Sequence, residues 1–479
     1  MKLIASAAEM RAIPRSTEFR NGRVSFWHRQ LGTTERRRAL PGPADYDVCI
    51  VGGGYTGLWS AYYLKKARPD LRVAVLEREF CGFGASGRNG GWLSAEFSGS
   101  RERYAASHGK AAVVALQRAM MDTVDEVIAV TKTENIDADV VKGGMRLIAC
   151  NAAQQARLHE EVRYLQEWGY WPDEDVSLLD PDHELRVAGA LAMAHSPHAA
   201  RIQPAKLAAG LAAVVERMGV DIFEDTLVTE IRPRDGAQPA AAVTAAGAVR
   251  AEHVIRATEG FTAALSGHRR QWQPVSSSMI VTEPLPAELW EYIGWHDCDV
   301  LGDVAHAANY LQRTADGRIA IGGPGVPYRF GSERDDKGVT RPQTIAELWR
   351  ALTRLFPSVA QTPVAHAWSG VLAVARDWCP TVDLDRQSGL AWAGGYGSSG
   401  VAAANLAGRT LRDLVLERAT DLTQLPWVGH TGRVWRPEPL RWVGTRVSHG
   451  LYRTADRRED NRGSRTSALA RVAGRLPRR

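Results

Sequence analysis

The apolar positions of this 479-residue chain change period along its length. Asp47-Val48-Cys49-Ile50-Val51 is a short apolar run closed by glycines, as expected of a parallel strand buried on both faces, and Leu58 to Ala67 then carries a helical pattern. Arg72 to Glu77 reads as a second strand. Strand, glycine turn, helix and strand thus follow one another within about 30 residues and predict a right-handed βαβ unit. Ala111 to Thr131 and Ala152 to Trp168 have helix composition without internal Gly or Pro, and Pro204 to Met218 is a helix opened by proline in its first turn. Strands follow at Val220 to Phe223, Leu227 to Ile231 and His253 to Thr258, two of them attached to the βαβ domain. Gln273 to Thr282, Asn309 to Arg313 and Arg318 to Gly322 read as a separate, more antiparallel sheet, interleaved in sequence with the first. Gly389 to Gly395 is an apolar strand running into glycine, and Val401 to Arg418 is helical.

Length agrees with this division, because 479 residues exceed what one compact core accommodates. An apolar fraction of 44% and a charged fraction of 24% are those of an ordinary globular enzyme and argue against wholesale disorder. The formal charge of +6 is local: Leu451 to Arg479 holds nine Arg (453, 457, 458, 462, 465, 471, 475, 478, 479) against three acids, and the remainder is about neutral. That tail is expected to be disordered, with anion or membrane-surface attraction as its other reading. The five cysteines are scattered and show no Cys/His spacing for a metal, so they read as reduced thiols, and no metal is expected. No run approaches a membrane span, and Glu9, Arg11 and Arg15 interrupt the N-terminus where a signal peptide is apolar, so a cytoplasmic location is expected.

Gly52-Gly53-Gly54-Tyr55-Thr56-Gly57 supplies Gly-x-Gly-x-x-Gly between a strand and a helix, the context that gives the motif meaning. Gly52 permits the tight turn, Gly54 lets backbone approach a pyrophosphate, Gly57 allows close helix packing, and Tyr55 and Thr56 open the helix whose N–H groups face the phosphates. Glu77, followed by Arg78, ends the second strand at the spacing of an acid that accepts hydrogen bonds from ribose hydroxyls; it disfavours a 2′-phosphate and hence NADP. The loop that follows decides between NAD and FAD. Gly82 to Gly91 is glycine-rich, and its Gly84, Ala85, Ser86, Asn89, Gly90 and Gly91 let backbone and small side chains crowd a large cofactor, while Arg88 adds charge near phosphate or flavin oxygen.

Several segments in series carry a resemblance. Ser25-Phe26-Trp27, the loop Gly84-Ala85-Ser86-Gly87-Arg88-Asn89-Gly90-Gly91, Gln203 to Leu207, Thr282 to Leu285, Gly322-Gly323, Trp368-Ser369-Gly370, Arg376 to Pro380 and Gly394-Gly395-Tyr396 to Val401 occur in the order of the D-amino-acid-oxidase-like family of FAD oxidoreductases. Within it the chain resembles the gamma-glutamylputrescine oxidase-like branch, from about Ser25 to Leu416. The resemblance implies an α/β fold: a Rossmann-like FAD domain of the glutathione-reductase type (45–100, 190–270, 365–420) interleaved with an α+β substrate domain on a mostly antiparallel sheet (101–189, 271–364). Residues 1–44 would be an N-terminal arm and 421–450 a C-terminal extension. It also implies that backbone near Val228 pairs with adenine and that Gly395, Gly400 and Val401 meet the flavin's pyrimidine edge, although Ser398 stands where relatives often have glycine. Cys379, inside Arg376-Asp377-Trp378-Cys379-Pro380, has the setting of the noncovalent branch, so the FAD is expected to be noncovalent.

The implied chemistry is hydride transfer from the carbon bearing an amine to the flavin, with dioxygen reoxidising the flavin to give peroxide. Trp92 and Tyr396 are candidate aromatic walls, and Arg376 or Arg88 a candidate partner for a substrate carboxylate; packing is the competing reading for each. His195, His198 and His306 read as ordinary hydrogen-bonded histidines. A flavin dehydrogenase or tailoring enzyme on the same scaffold is the alternative. A flavin-bearing binding protein using the Arg tail is a third reading, which nothing before the tail supports, so no specific nucleic-acid partner is expected.

Overall fold

The computed structural model describes residues 13–32, 35–180, 184–325, 328–462 and 466–475. Two sheets organise the chain. In the first, β2 (Ala44–Val51) lies between β3 (Val73–Leu76) and β12 (Gly247–Arg256), and β3 pairs with β9 (Asp221–Phe223), all in parallel. The ten-residue β12 serves two partners along its other edge: its first half pairs with β11 (Ala240–Thr244) and its last residues, Val254 to Arg256, with β19 (Leu390–Gly394). Burial of Cys49, Ile50, Val73, Ala74, Val75 and Ile255 to 1% exposure or less accounts for the unbroken apolar runs of these strands.

Two helices pack together beside this sheet. Helix Tyr55–Ala67 starts directly from the glycine turn, and a Cβ at Gly57 would stand 2.0 Å from the Gly52 carbonyl oxygen, so only glycine lets the helix approach its own strand. Helix Gly400–Val415 crosses it at Gly408, whose absent Cβ leaves room for Trp59.

The second sheet has nine strands in the order β1-β17-β13-β16-β15-β14-β5-β7-β6, where β15 is Tyr310–Arg313 and β6 is Ser177–Leu179. Its centre, β17 (Val364–Val374), β13 (Gln273–Thr282) and β16 (Ile319–Pro324), is antiparallel; β1 (Arg15–Asn21) joins β17 in parallel, as does β14 (Val300–Asp303) with β5 (Met145–Ala149). Strand β7 (Ala192–Ser196), β17 and β1 thus belong to this sheet, although the sequence boundaries assign them to the FAD segments and to the arm. Hydrogen bonding between distant segments, invisible to local periodicity, places them there. Helix Pro342–Leu355 covers the sheet with Ile345, Leu348, Leu352 and Leu355 against Ile280, Ile321 and Leu311.

The expectation of a disordered tail is corrected. Residues Leu440–Arg462 and Ala468–Arg475 are helices. Asp456, Glu459 and Asp460 fall at helical spacing on one face: Asp456 accepts from the His306 and Ala307 amides, Glu459 pairs with Arg157 and His306, and Asp460 with Arg354. Arg453 pairs with Glu347 at 2.6 Å. Composition counted the arginines without the register of these acids. Arg465, Arg478 and Arg479, like Glu9 and Arg11, lie outside the described residues. Among the described residues no helix is long and apolar enough to cross a membrane.

Candidate functional site

A cleft of about 1250 Å³ opens at the carboxyl ends of the parallel strands, where ligands of open α/β sheets bind. Val51 and Gly52 after β2, Leu76 and Glu77 after β3, and Ala257 and Thr258 after β12 form its floor. Two helix N-termini face it. Helix Tyr55–Ala67 begins at Gly54 and helix Gly400–Val415 at Ser399, and neither cap residue supplies a side-chain hydrogen bond. Both ends therefore offer backbone N–H groups and positive potential to an anionic ligand. Such a pair fits a dinucleotide cofactor: pyrophosphate at the first end, and at the second a ring that gains negative charge when reduced.

Of the residues singled out in the sequence, Gly52, Gly54, Tyr55, Thr56, Glu77, Arg78, Gly84, Ala85, Ser86, Asn89, Val228, Tyr396, Gly400 and Val401 stand on the cleft wall. Glu77 accepts from the Gly53 amide at 2.7 Å and the Glu79 amide at 2.9 Å, which fixes the glycine turn against β3; burial raises its pKa. Ser86 accepts from the Tyr55 amide at 2.8 Å and ties the second glycine loop to the first helix. The Tyr396 and Thr56 hydroxyls lie 3.2 Å apart, linking the two helix starts.

Others stand elsewhere. Gly57 is the packing contact described above. The Arg88 guanidinium is buried and donates to the carbonyls of Phe83, Ser369, Arg23 and Asp336, so it braces the loop from behind instead of facing phosphate, flavin or substrate. Gly90 and Gly91 abut Tyr310 and Gln312, side chains of the second sheet. Gly395 lies under Trp272 and donates its amide to Glu259 at 2.9 Å. Trp92 donates to the Leu311 carbonyl at 3.0 Å and meets Tyr310 edge-on, a packing role in place of a substrate wall. Arg376 reaches towards the Val434 carbonyl and lies near Arg433 and Arg436, away from the cleft. His198 pairs with Asp175, and His306 with Glu459.

Sequence reasoning missed Glu259, on the wall just beyond β12. Its carboxylate accepts from the Gly395 and Ala373 amides, and burial pushes its pKa up to about 7. An acid directly after a buried parallel strand was the available signal.

A second cavity, of about 1050 Å³, shares Ser398 with the cleft. Glu96 and Phe97 beyond β4 (Trp92–Ser94), Arg101 at the start of helix Arg101–Thr133, Glu161 on helix Ala152–Glu167, Tyr170, and His195 on β7 line it. Ser98 donates to the Tyr396 carbonyl at 2.6 Å and so fastens this lining to the turn that starts helix Gly400–Val415. No local sequence signal marks these side chains, because they come from four separate elements.

Residues 47–414 match the family model described as FAD dependent oxidoreductase. The chain is 31% identical over 424 residues to gamma-glutamylputrescine oxidoreductase of Escherichia coli (strain K12), covering 86% of this chain and 93% of that one. It is 27% identical to glycine oxidase of Geobacillus kaustophilus (strain HTA426), over 81% of this chain and 98% of that one. Among solved structures, glycine oxidase from Geobacillus kaustophilus superposes with a TM-score of 0.67 at 24% identity, over 81% of this chain and all of that one. L-proline dehydrogenase from P. horikoshii superposes with a TM-score of 0.64 at 17% identity, over 80% and 98%. Both structures bear on the fold alone.

Proposed function

The chain belongs to the FAD-dependent oxidoreductase family, and from that premise we propose that it oxidises the C–N bond of a small amine or amino acid, with dioxygen as the final acceptor. The carrying observation is that a cleft faced by two helix N-termini, whose own cap residues supply no side-chain hydrogen bond, shares Ser398 with a second cavity that contains ionisable side chains. The names of the relatives, gamma-glutamylputrescine oxidoreductase and glycine oxidase, support the amine or amino-acid class.

When bound, FAD supplies a hydride acceptor beside the carbon that carries nitrogen. The chain does the rest. The Gly52–Gly57 turn and Ser86 position the pyrophosphate, Glu77 holds the turn, and the start of helix Gly400–Val415 stabilises charge that develops on the ring. Hydride loss requires a neutral amine, so the protein must bind the ammonium and relieve it of a proton. The imine product then hydrolyses in water. The FAD is held noncovalently in this reading, since no cysteine or histidine stands among the described residues lining the cleft.

The test is an absorbance spectrum of the purified protein followed by anaerobic addition of amines and amino acids. Bleaching of the flavin by one of them, and its return with one equivalent of peroxide on admitting air, is the expected result. Bleaching without reoxidation by air would assign a dehydrogenase; a flavin that none of them bleaches would remove the proposal.

A further inference from the structure

We propose that Glu96 is the proton acceptor of the amine-oxidising site, taking the proton from the substrate's ammonium in the second cavity. This rests on the functional reading above and extends it to a residue. Glu96 follows the short strand β4, and the segment it begins is bonded through Ser98 to the turn at Tyr396. Its carboxylate therefore belongs to the cavity that meets the cofactor cleft at Ser398. Among the described residues it accepts no hydrogen bond, whereas Glu77 and Glu259 each accept two from backbone amides. A partly buried carboxylate that opens into a cavity without a donor is costly to keep charged and is satisfied by a cationic ligand.

The charged groups around it are few. Arg101 faces it from helix Arg101–Thr133, but that guanidinium donates to Gln117 and lies over the Phe97 and Tyr164 rings. Glu161 faces it from helix Ala152–Glu167 and adds a like charge. Tyr170 and His195 complete the titratable lining, and His198 is paired with Asp175. Burial first, then Glu161, pushes the Glu96 carboxyl up to about 7. An ammonium brought alongside favours the carboxylate and draws that value down; passing the proton to Glu96 neutralises both groups before the hydride leaves.

The transfer balances simply: R–CH2–NH3+ and Glu96–COO− give R–CH2–NH2 and Glu96–COOH. The nitrogen lone pair so freed accompanies hydride departure and becomes the C=N π bond of the iminium. The proton on Glu96 returns to solvent.

The experiment uses the FAD-loaded protein and two kinds of probe. The first is tert-butylammonium, which has no hydrogen on the carbon bearing nitrogen and so reports binding alone, through its perturbation of the flavin spectrum. Wild-type affinity is expected to rise with pH through about 7, as Glu96 ionises, and Glu96→Gln is expected to lose at least tenfold and the pH dependence. The second is a set of oxidisable compounds, n-butylamine, 1,4-diaminobutane, N-acetyl-1,4-diaminobutane, glycine and sarcosine, followed by anaerobic stopped flow. At saturating amine, Glu96→Gln is expected to reduce flavin about 100-fold more slowly than wild type and to lose the acid limb of the profile, in the usual range for a general base. Glu161→Gln should instead move that limb to lower pH, and this serves as the test if Glu96→Gln fails to retain FAD. Equal reduction rates and equal pH limbs in wild type and Glu96→Gln, or an unmoved limb in Glu161→Gln, would overturn the assignment while leaving amine oxidation intact. Glu96-dependent binding of tert-butylammonium with no oxidation of any probe would uphold the cation site and overturn the proton-transfer role together with the functional reading.

Discussion

The Arg88 guanidinium donates to four backbone carbonyls from separate segments, and burial lowers its pKa to about 10, which still leaves it charged at neutral pH. Replacing it by Met leaves those carbonyls without their donor. Arg88→Met is therefore expected to cost about 3 kcal/mol, seen as a Tm lowered by several degrees, while the KM of enzyme that still folds is unchanged. A raised KM with an unaltered Tm would return Arg88 to the substrate. Glu96 is the opposite case, a charge the fold bears at a cost. Its carboxyl lies near 7 in the folded chain against 4.5 in a free side chain, so the folded state is penalised increasingly as pH rises from about 4.5 to 7, and by a constant amount above. Glu96→Gln is expected to raise the Tm of the FAD-free protein at pH 8 and leave it unchanged at pH 4; equal Tm values at pH 8 would show that the fold does not bear that cost.

Elements matter here by where they end. The helices Tyr55–Ala67 and Gly400–Val415 are separated by over 300 residues, yet Gly408 and Trp59 pack them together and the Tyr396–Thr56 contact aligns their starts on one cleft. A different cross-link holds the segment before β18 (Thr381–Asp385). His430 lies 2.8 Å from Asp377, beside the Cys379 thiol, with its ring edge-on to Tyr104. The Asp377 hydrogen bond, then Cys379, raises the imidazole to about 9. Because the folded value exceeds the usual 6.5, the stabilisation is complete below about 6.5 and is lost as pH rises through 9. The difference in unfolding free energy between wild type and His430→Gln is expected to be about 2 kcal/mol at pH 6 and near zero at pH 10, by urea denaturation. A difference independent of pH would show that the imidazolium charge plays no part.

At the scale of the molecule, the site lies where two independently organised sheets meet, and the C-terminal helices brace one of them. Glu459 bridges Arg157 and His306, Asp460 reaches Arg354, and Arg453 reaches Glu347. Truncation after Pro439 removes these ion pairs and is expected to lower the Tm by about 5 °C or more in calorimetry. An unchanged Tm would mark the extension as energetically idle.

The sequence by itself determined the βαβ unit and its glycine turn. Those features are local: a buried parallel strand must be apolar throughout, and a helix approaching its own strand at Gly57 has no room for a side chain. It also pointed to part of the cleft wall, the glycine turns and helix starts whose composition is visible. Tertiary structure alone decided the rest. It allotted β1, β7 and β17 to the second sheet through pairings across long sequence separations. It turned Arg88 and Trp92 from ligand candidates into braces by surrounding them with carbonyls and an edge-on ring. It folded the arginine-rich tail by setting its acids in register with cations elsewhere. Finally, it brought Glu96, Arg101 and Glu161 to one cavity, where burial and mutual charge, which depend on three-dimensional proximity and not on residue type, give a carboxylate its chemistry.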